Sequence, residues 1–165
     1  MAREKLSGIY IPMVTPFNKD ESINFGGIKE VTDFLVDNGV SGVIPSGSTG
    51  EMVALTPAEQ IAINTATVKA AAGRIKVVCS TGAYRTKDVV EMSIAAEAAG
   101  ADGIMAVTPW YMAPNEKELY KHYETIRKAI SIPIMVYHNP YYSTCLMSDE
   151  FMAKLYNDGL IDSVK

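Results

Sequence analysis

Short apolar runs recur along the chain at intervals of about thirty residues, at positions 9–14, 42–45, 75–80, 103–107 and 134–137, and again at 161–165. Each is four to six residues long and rich in Val and Ile, the pattern of strands buried on both faces. Between them, apolar residues fall at helical spacing. Ile28, Val31 and Leu35, with neighbouring Phe34, make one face; Ile61, Ile63 and Val68 belong to another. Helix boundaries agree with this alternation. Thr56-Pro57-Ala58-Glu59 joins an N-cap threonine, a first-turn proline and a glutamate that closes a capping box. Asn115 and Glu118 repeat that logic before Leu119, Tyr123 and Ile126, and Ser148 can cap the segment 149–156. Gly39, Gly73, Gly100 and Gly159 stand where helices should stop.

Consecutive strand–helix units predict a parallel sheet, either open and doubly wound or closed into a barrel. A dinucleotide-binding sheet should carry G-x-G-x-x-G after its first strand, whereas this first strand runs into Thr15-Pro16-Phe17-Asn18. Polar residues after every strand suit a (β/α)₈ TIM barrel better, although periodicity alone leaves both open. A barrel needs about 250 residues, and this chain has 165. The expectation is therefore a single, incomplete domain over residues 1–165: the first five βα units and the sixth strand. Half a barrel would leave a strand edge and an apolar sheet face uncovered.

Composition narrows the classes. The chain is 48% hydrophobic and 21% charged with a net charge of −4, and its basic residues are scattered, so no nucleic-acid surface is expected. The opening residues are polar, the run at 9–14 is short and broken by Pro12, and no stretch is long enough to span a membrane, so neither signal peptide nor membrane association is expected. Cys79 and Cys145 share no motif spacing, which points to a reducing compartment and the cytoplasm, with Cys79 a small core residue.

Residues just past the strands hold the candidate chemistry: Gly47-Ser48-Thr49-Gly50-Glu51, Pro109-Trp110-Tyr111, Tyr137-His138-Asn139-Pro140 and Lys165. No Ser–His–Asp set and no metal-ligand spacing is present, so no metal site is expected. The glycines of 47–50 let a ligand approach the backbone, consecutive amides can form an anion nest, and Ser48 and Thr49 add hydroxyls that suit a carboxylate. A glycine-rich turn with local capping is the plainer alternative. Strand alternation puts Ile161, Ser163 and Lys165 on one face. An amine at a strand end in a desolvated pocket can attack a carbonyl, although most lysines are solvated. Tyr137 and Asn139 share a side, so the Tyr137 phenol can relay a proton or simply fill the barrel mouth. His138 faces away toward the helices, and His122, in a polar helical segment, is expected at the surface.

Together, Gly47-Ser48-Thr49-Gly50-Glu51, Val107-Thr108-Pro109-Trp110-Tyr111, Tyr137 followed by Pro140, and the interval from Tyr137 to Lys165 resemble the dihydrodipicolinate synthase and N-acetylneuraminate lyase family of pyruvate-dependent class I aldolases. The resemblance runs from Gly8 to Lys165. It implies that Lys165 forms a Schiff base with pyruvate or a related 2-oxo acid and that Tyr137 shuttles protons. By the same resemblance Ser48 relays protons with Tyr137, and both Ser48 and Thr49 hold the substrate carboxylate against Gly47. Tyr111 would reach across a subunit contact in a homotetramer built as a dimer of dimers. The protonated imine is the electron sink, so no metal or organic cofactor is implied.

Departures from the family bear on the substrate. Dihydrodipicolinate synthases carry an arginine two residues past the proline, where this chain has Tyr142. Tyr137-His138-Asn139-Pro140 looks more like sugar-acid dehydratases and hydratase-aldolases, in which the asparagine places a water or hydroxyl. Trp110, Tyr141 and Tyr142 would line an aromatic distal pocket. The expected function is a Schiff-base lyase or aldolase for a 2-keto-3-deoxy sugar acid type of substrate. The alternatives are dihydrodipicolinate synthesis for lysine, and a non-catalytic keto-acid binder or truncated remnant.

Overall fold

Three residues near the chain start, Tyr10, Ile11 and Pro12, pair in parallel with Gly42, Val43 and Ile44, and every later strand joins in the same way. In the computed structural model, which describes residues 6–165, the strands are β1 (Tyr10–Pro12), β2 (Gly42–Ile44), β3 (Lys76–Ser80), β4 (Gly103–Val107), β5 (Ile134–Tyr137) and β6 (Ser163–Val164). They form one six-stranded sheet in sequential order. The crossovers carry α1 (Phe25–Asp37), α2 (Pro57–Ala71), α3 (Thr86–Ala99), α4 (Glu116–Ala129), the short α5 (Pro140–Ser143) and α6 (Asp149–Asn157). This is the first part of a (β/α)₈ barrel, five βα units and a sixth strand. Most of the polar opening falls outside the described residues. Among those described, no helix is long and apolar enough to cross a membrane.

Strand alternation sorts the side chains. Val43, Val77, Cys79, Ile104, Ala106, Ile134 and Val136 face the helices and meet Met92, Leu119, Tyr123, Ile126 and Leu155 in the main core. Ile44, Val78 and Met105 form a second cluster on the concave face with Tyr10, Met135 and Tyr137. The predicted caps are all present. Thr56 and Asn115 close capping boxes with Glu59 and Glu118, and Ser148 accepts from the Phe151 N–H. Gly39, Gly73, Gly100 and Gly159 all have positive φ at helix ends, where a β-carbon is unfavourable.

Two aspartates repeat a device that went unread in the sequence. Asp102, one residue before β4, donates its backbone N–H to the Val77 carbonyl (2.9 Å) and accepts the Val77 N–H on its carboxylate (2.9 Å). Asp162, one residue before β6, does the same to Ile134, at 2.9 and 2.8 Å. Each carboxylate also holds a cation, Lys76 at 2.9 Å and Arg127 at 2.6 Å. Side chain and backbone thus grip one residue of the preceding strand, which locks the register where the new strand enters.

Several expectations need correction. Ile161 is buried in the helix-side core before β6 begins, so it does not share a face with Ser163, which pairs with the concave Met135. Phe34 is 65% exposed, because the buried stripe of α1 runs through Ile28 and Thr32 and Phe34 lies well round the helix from it. His122 is buried, only 4% exposed. Leu119, His122, Tyr123 and Ile126 occupy one stripe of α4, and helical geometry overrides the polar neighbours that suggested a surface residue. Its Nδ1 bonds the Thr86 hydroxyl at 2.8 Å.

Burial pushes the His122 imidazole from 6.5 down to about 4. Between those values the unfolded chain binds a proton that the folded chain refuses. The stability His122 permits is therefore complete above pH 6.5, falls as pH drops through the window, and levels off below about 4. The loss is on the order of 3 kcal/mol. Urea unfolding between pH 7 and pH 4 should show this acid decline, and His122→Gln should flatten it; an equal decline in the variant would remove His122 as the cause.

Candidate active site

The loop that follows β2 turns back sharply through residues 46–51. Ser46 and Glu51 bracket it with left-handed backbones, φ 46° and 61°. Inside it the Gly50 N–H bonds the Gly47 carbonyl (3.0 Å), the Glu51 N–H bonds that of Ser48 (3.1 Å), and the Met52 N–H returns to Gly47 (3.2 Å). Thr15, just past β1, donates its hydroxyl to the Gly50 carbonyl at 2.7 Å. Gly50 suits the close packing here: a β-carbon would stand a tight 3.0 Å from the Met13 carbonyl oxygen and 3.1 Å from Ser46 Cα, and the backbone would have to give by a few tenths of an ångström. The anticipated nest is correspondingly smaller, since the amides of Gly50 and Glu51 are used within the loop and those of Ser48 and Thr49 remain at its exposed turn.

Across from this loop, Tyr137 ends β5 on the concave face. Asn139 Nδ2 donates to its hydroxyl oxygen at 2.8 Å, and Ser48 lines the same cavity beside it. The Lys165 ammonium lies 4.0 Å from the centre of the Tyr137 ring, brought there by the pairing of β6 with β5. Hydrogen bonding from Asn139 is the main influence holding the Tyr137 phenol below its usual value. Partial burial works against it, while Ser48 and the Lys165 charge add to the lowering. A phenol that gives up its proton more readily than usual therefore lies under an amine and shares a cavity with a hydroxyl.

An open cavity of about 400 Å³ lies at this end of the sheet. Ser48, Trp110, Tyr137, Asn139 and Tyr142 all line it, as the sequence suggested. Met52, Val53, Val107 and Ser143 complete the wall and were not anticipated. Met52 and Val53 follow directly on the glycine loop in a turn of 3₁₀ helix, a position that could have drawn notice; nothing local marks Val107 or Ser143. Other candidates stay apart. Thr49 is exposed next to Ser48 and Gly47 is buried; neither lines the cavity. Tyr111 is 86% exposed with φ 74°, and Tyr141 is also exposed; neither lines the cavity. Tyr111 lies in the bend after β4 and Tyr141 in the short α5, and both side chains stand in solvent.

Known proteins resemble this chain in sequence and in fold. The family model described as the dihydrodipicolinate synthetase family matches residues 5–165. A 4-hydroxy-tetrahydrodipicolinate synthase of Methanococcus maripaludis (strain C7) is 39% identical over 82% of this chain and 46% of its own. The crystal structure of dihydrodipicolinate synthase from Aquifex aeolicus superposes with a TM-score of 0.93 at 33% identity, over 97% of this chain and 55% of that one. YagE, a prophage protein of the dihydrodipicolinic acid synthase family from E. coli K12 solved with pyruvate, matches with a TM-score of 0.93 at 28% identity, over 96% and 53%. The chain spans about half the length of the curated relatives it matches.

Because Asn139 is the chief influence on the Tyr137 phenol, Asn139→Leu should raise its pKa toward that of an ordinary tyrosine. Titration of ¹³Cζ-labelled tyrosine by NMR, with Tyr137 assigned by its loss in Tyr137→Phe, reads this directly. An unchanged midpoint would mean that the hydrogen bond does not stabilise the phenolate.

Proposed function

The chain belongs to the dihydrodipicolinate synthetase family, and from that premise we propose that it is the site-bearing part of a class I lyase acting on pyruvate or a related 2-oxo acid. The observation that carries this reading is the meeting of Tyr137, Ser48 and Asn139 at one cavity, with the Lys165 amine against the Tyr137 ring. The neutral Lys165 amine attacks the keto carbon, forming a C–N bond while the carbonyl oxygen takes a proton from Tyr137. The nitrogen then returns its extra proton to the Tyr137 phenolate, and that proton, passed on by Tyr137 and Ser48 to the hydroxyl, lets it leave as water and gives the protonated imine. The imine withdraws electrons from the adjacent carbon. Loss of a proton there yields an enamine, and the same electron flow allows a C–C bond to form or break, or a hydroxyl to depart. Ser48 and Thr49 present hydroxyl and amide donors to the substrate carboxylate, and Asn139 aligns the phenol or a reacting hydroxyl. Tyr111, exposed and outside its own cavity, serves a neighbouring copy in a tetramer, and the protein works in the cytoplasm.

The distal wall favours an uncharged partner. Met52, Val53, Val107, Trp110 and Tyr142 present carbon and aromatic surface, and Tyr142 stands where a carboxylate-binding arginine would be needed. Retro-aldol cleavage or dehydration of a keto acid with a neutral tail fits that wall. The second reading, 4-hydroxy-tetrahydrodipicolinate synthesis, is favoured by the names of the curated relatives.

Incubation with pyruvate, borohydride reduction and peptide mapping should find one reduced pyruvate adduct, on Lys165. No adduct, or one spread over surface lysines, would overturn the Schiff-base assignment. Supplying aspartate semialdehyde with pyruvate separates the two readings: turnover supports the synthase, whereas its absence alongside intact pyruvate trapping supports the neutral-tail lyase.

A further inference from the structure

Ser46 holds a backbone conformation that is unfavourable for any residue with a β-carbon, φ 46°. Its surroundings explain how. The hydroxyl, fully buried, donates to Asn64 Oδ1 at 2.7 Å and has the Ser80 carbonyl as a second acceptor at 3.3 Å. Asn64 Nδ2 in turn donates to the same Ser80 carbonyl at 2.8 Å. Asn64 is 2% exposed and sits on α2, outside the cavity. One amide side chain therefore ties together a helix, the last residue of β3 and the first residue of the loop that carries Ser48.

The other end of that loop is fixed independently by the Thr15 hydroxyl on the Gly50 carbonyl. Between the two anchors, among the described residues, the loop's backbone–backbone hydrogen bonds are those of its own turn. If Ser46 relaxes to an ordinary backbone, the chain direction changes two residues before Ser48, and Ser48 shifts away from its place beside Tyr137 in the cavity wall. We propose that Asn64 is a positioning residue, holding the left-handed turn at Ser46 so that Ser48 meets the Tyr137 phenol. This rests on the proton relay read above for its catalytic consequence. A purely structural Asn64, one that only satisfies buried polar groups, would affect melting and leave the phenol untouched.

Three variants separate these roles. Asn64→Leu removes both hydrogen bonds. Ser46→Ala cuts the same link from the other side while disturbing the core less, so it carries the test if Asn64→Leu does not fold. Ser46→Gly also loses the hydroxyl, but glycine adopts positive φ without penalty, so the loop can keep its course. The Tyr137 midpoint, read by ¹³Cζ-tyrosine NMR, should rise in Asn64→Leu and Ser46→Ala and rise less in Ser46→Gly. Pyruvate trapping on Lys165 should slow in the same order. A folded Ser46→Ala variant with the parent midpoint, or a Ser46→Gly variant as perturbed as Ser46→Ala, would overturn the proposal. The phenol titration needs no substrate. A parent protein that traps no pyruvate yet shows this pattern would sink the proposed activity and leave the positioning role standing.

Discussion

The pairing of β6 with β5 is the contact on which the site depends. Lys165 donates its backbone N–H to the Val136 carbonyl at 2.8 Å, and its own carbonyl accepts the His138 N–H at 3.0 Å. Those bonds set the Lys165 side chain beside Tyr137 on the concave face. A slip of one residue would turn the amine toward the helices and bring Val164 inward, because side-chain direction alternates at every residue. Two strand residues do not define a register strongly by themselves. The Asp162 clasp on Ile134, steadied by Arg127, supplies what so short a strand lacks. Removing that carboxylate would free the register and take the ion pair from a largely buried guanidinium.

The two ends of the sheet are built differently for a physical reason. At the entry end, aspartates use charged side chains to reinforce backbone pairing, and the geometry is ordinary. At the exit end, the loop after β2 needs left-handed backbones at Ser46 and Glu51 and a glycine at 50 pressed against Met13 and Ser46. Such conformations persist only where surrounding hydrogen bonds hold them, and here Thr15 and Asn64 do so from opposite sides. The rigid end permits the strained end, and the hydroxyls and phenol gather at the latter.

The layers are also unequally complete. The helix-facing core is closed, with Tyr123, Ile126, Ile134 and Val136 wholly buried. On the concave face Met135 and Tyr137 are only partly covered, and Ile9, Val14 and Val164 are exposed at the sheet edges. The cavity accordingly has walls from the β2 loop, the turn after β4 and the segment after β5, and is open elsewhere.

Local physics in the sequence determined most of the architecture. The strands come from short β-branched runs, the helix starts from Thr56, Asn115 and Ser148, and the stops from four glycines, each a matter of residues within a few positions of one another. The site candidates past the strand ends were legible for the same reason, since a parallel sheet of βα units delivers those positions to one rim. What only the tertiary structure decided was contact between residues far apart in the chain. It buried His122, left Phe34 and Tyr111 in solvent, and recruited Val107 and Ser143 to the cavity wall. It also joined Asn64 to Ser46 and Ser80, and gripped Ile134 with Asp162. His122 and Phe34 follow from helical spacing once the buried stripe of each helix is known; the others depend on which helix or strand packs opposite, and periodicity fixes the face a residue occupies without fixing its partner.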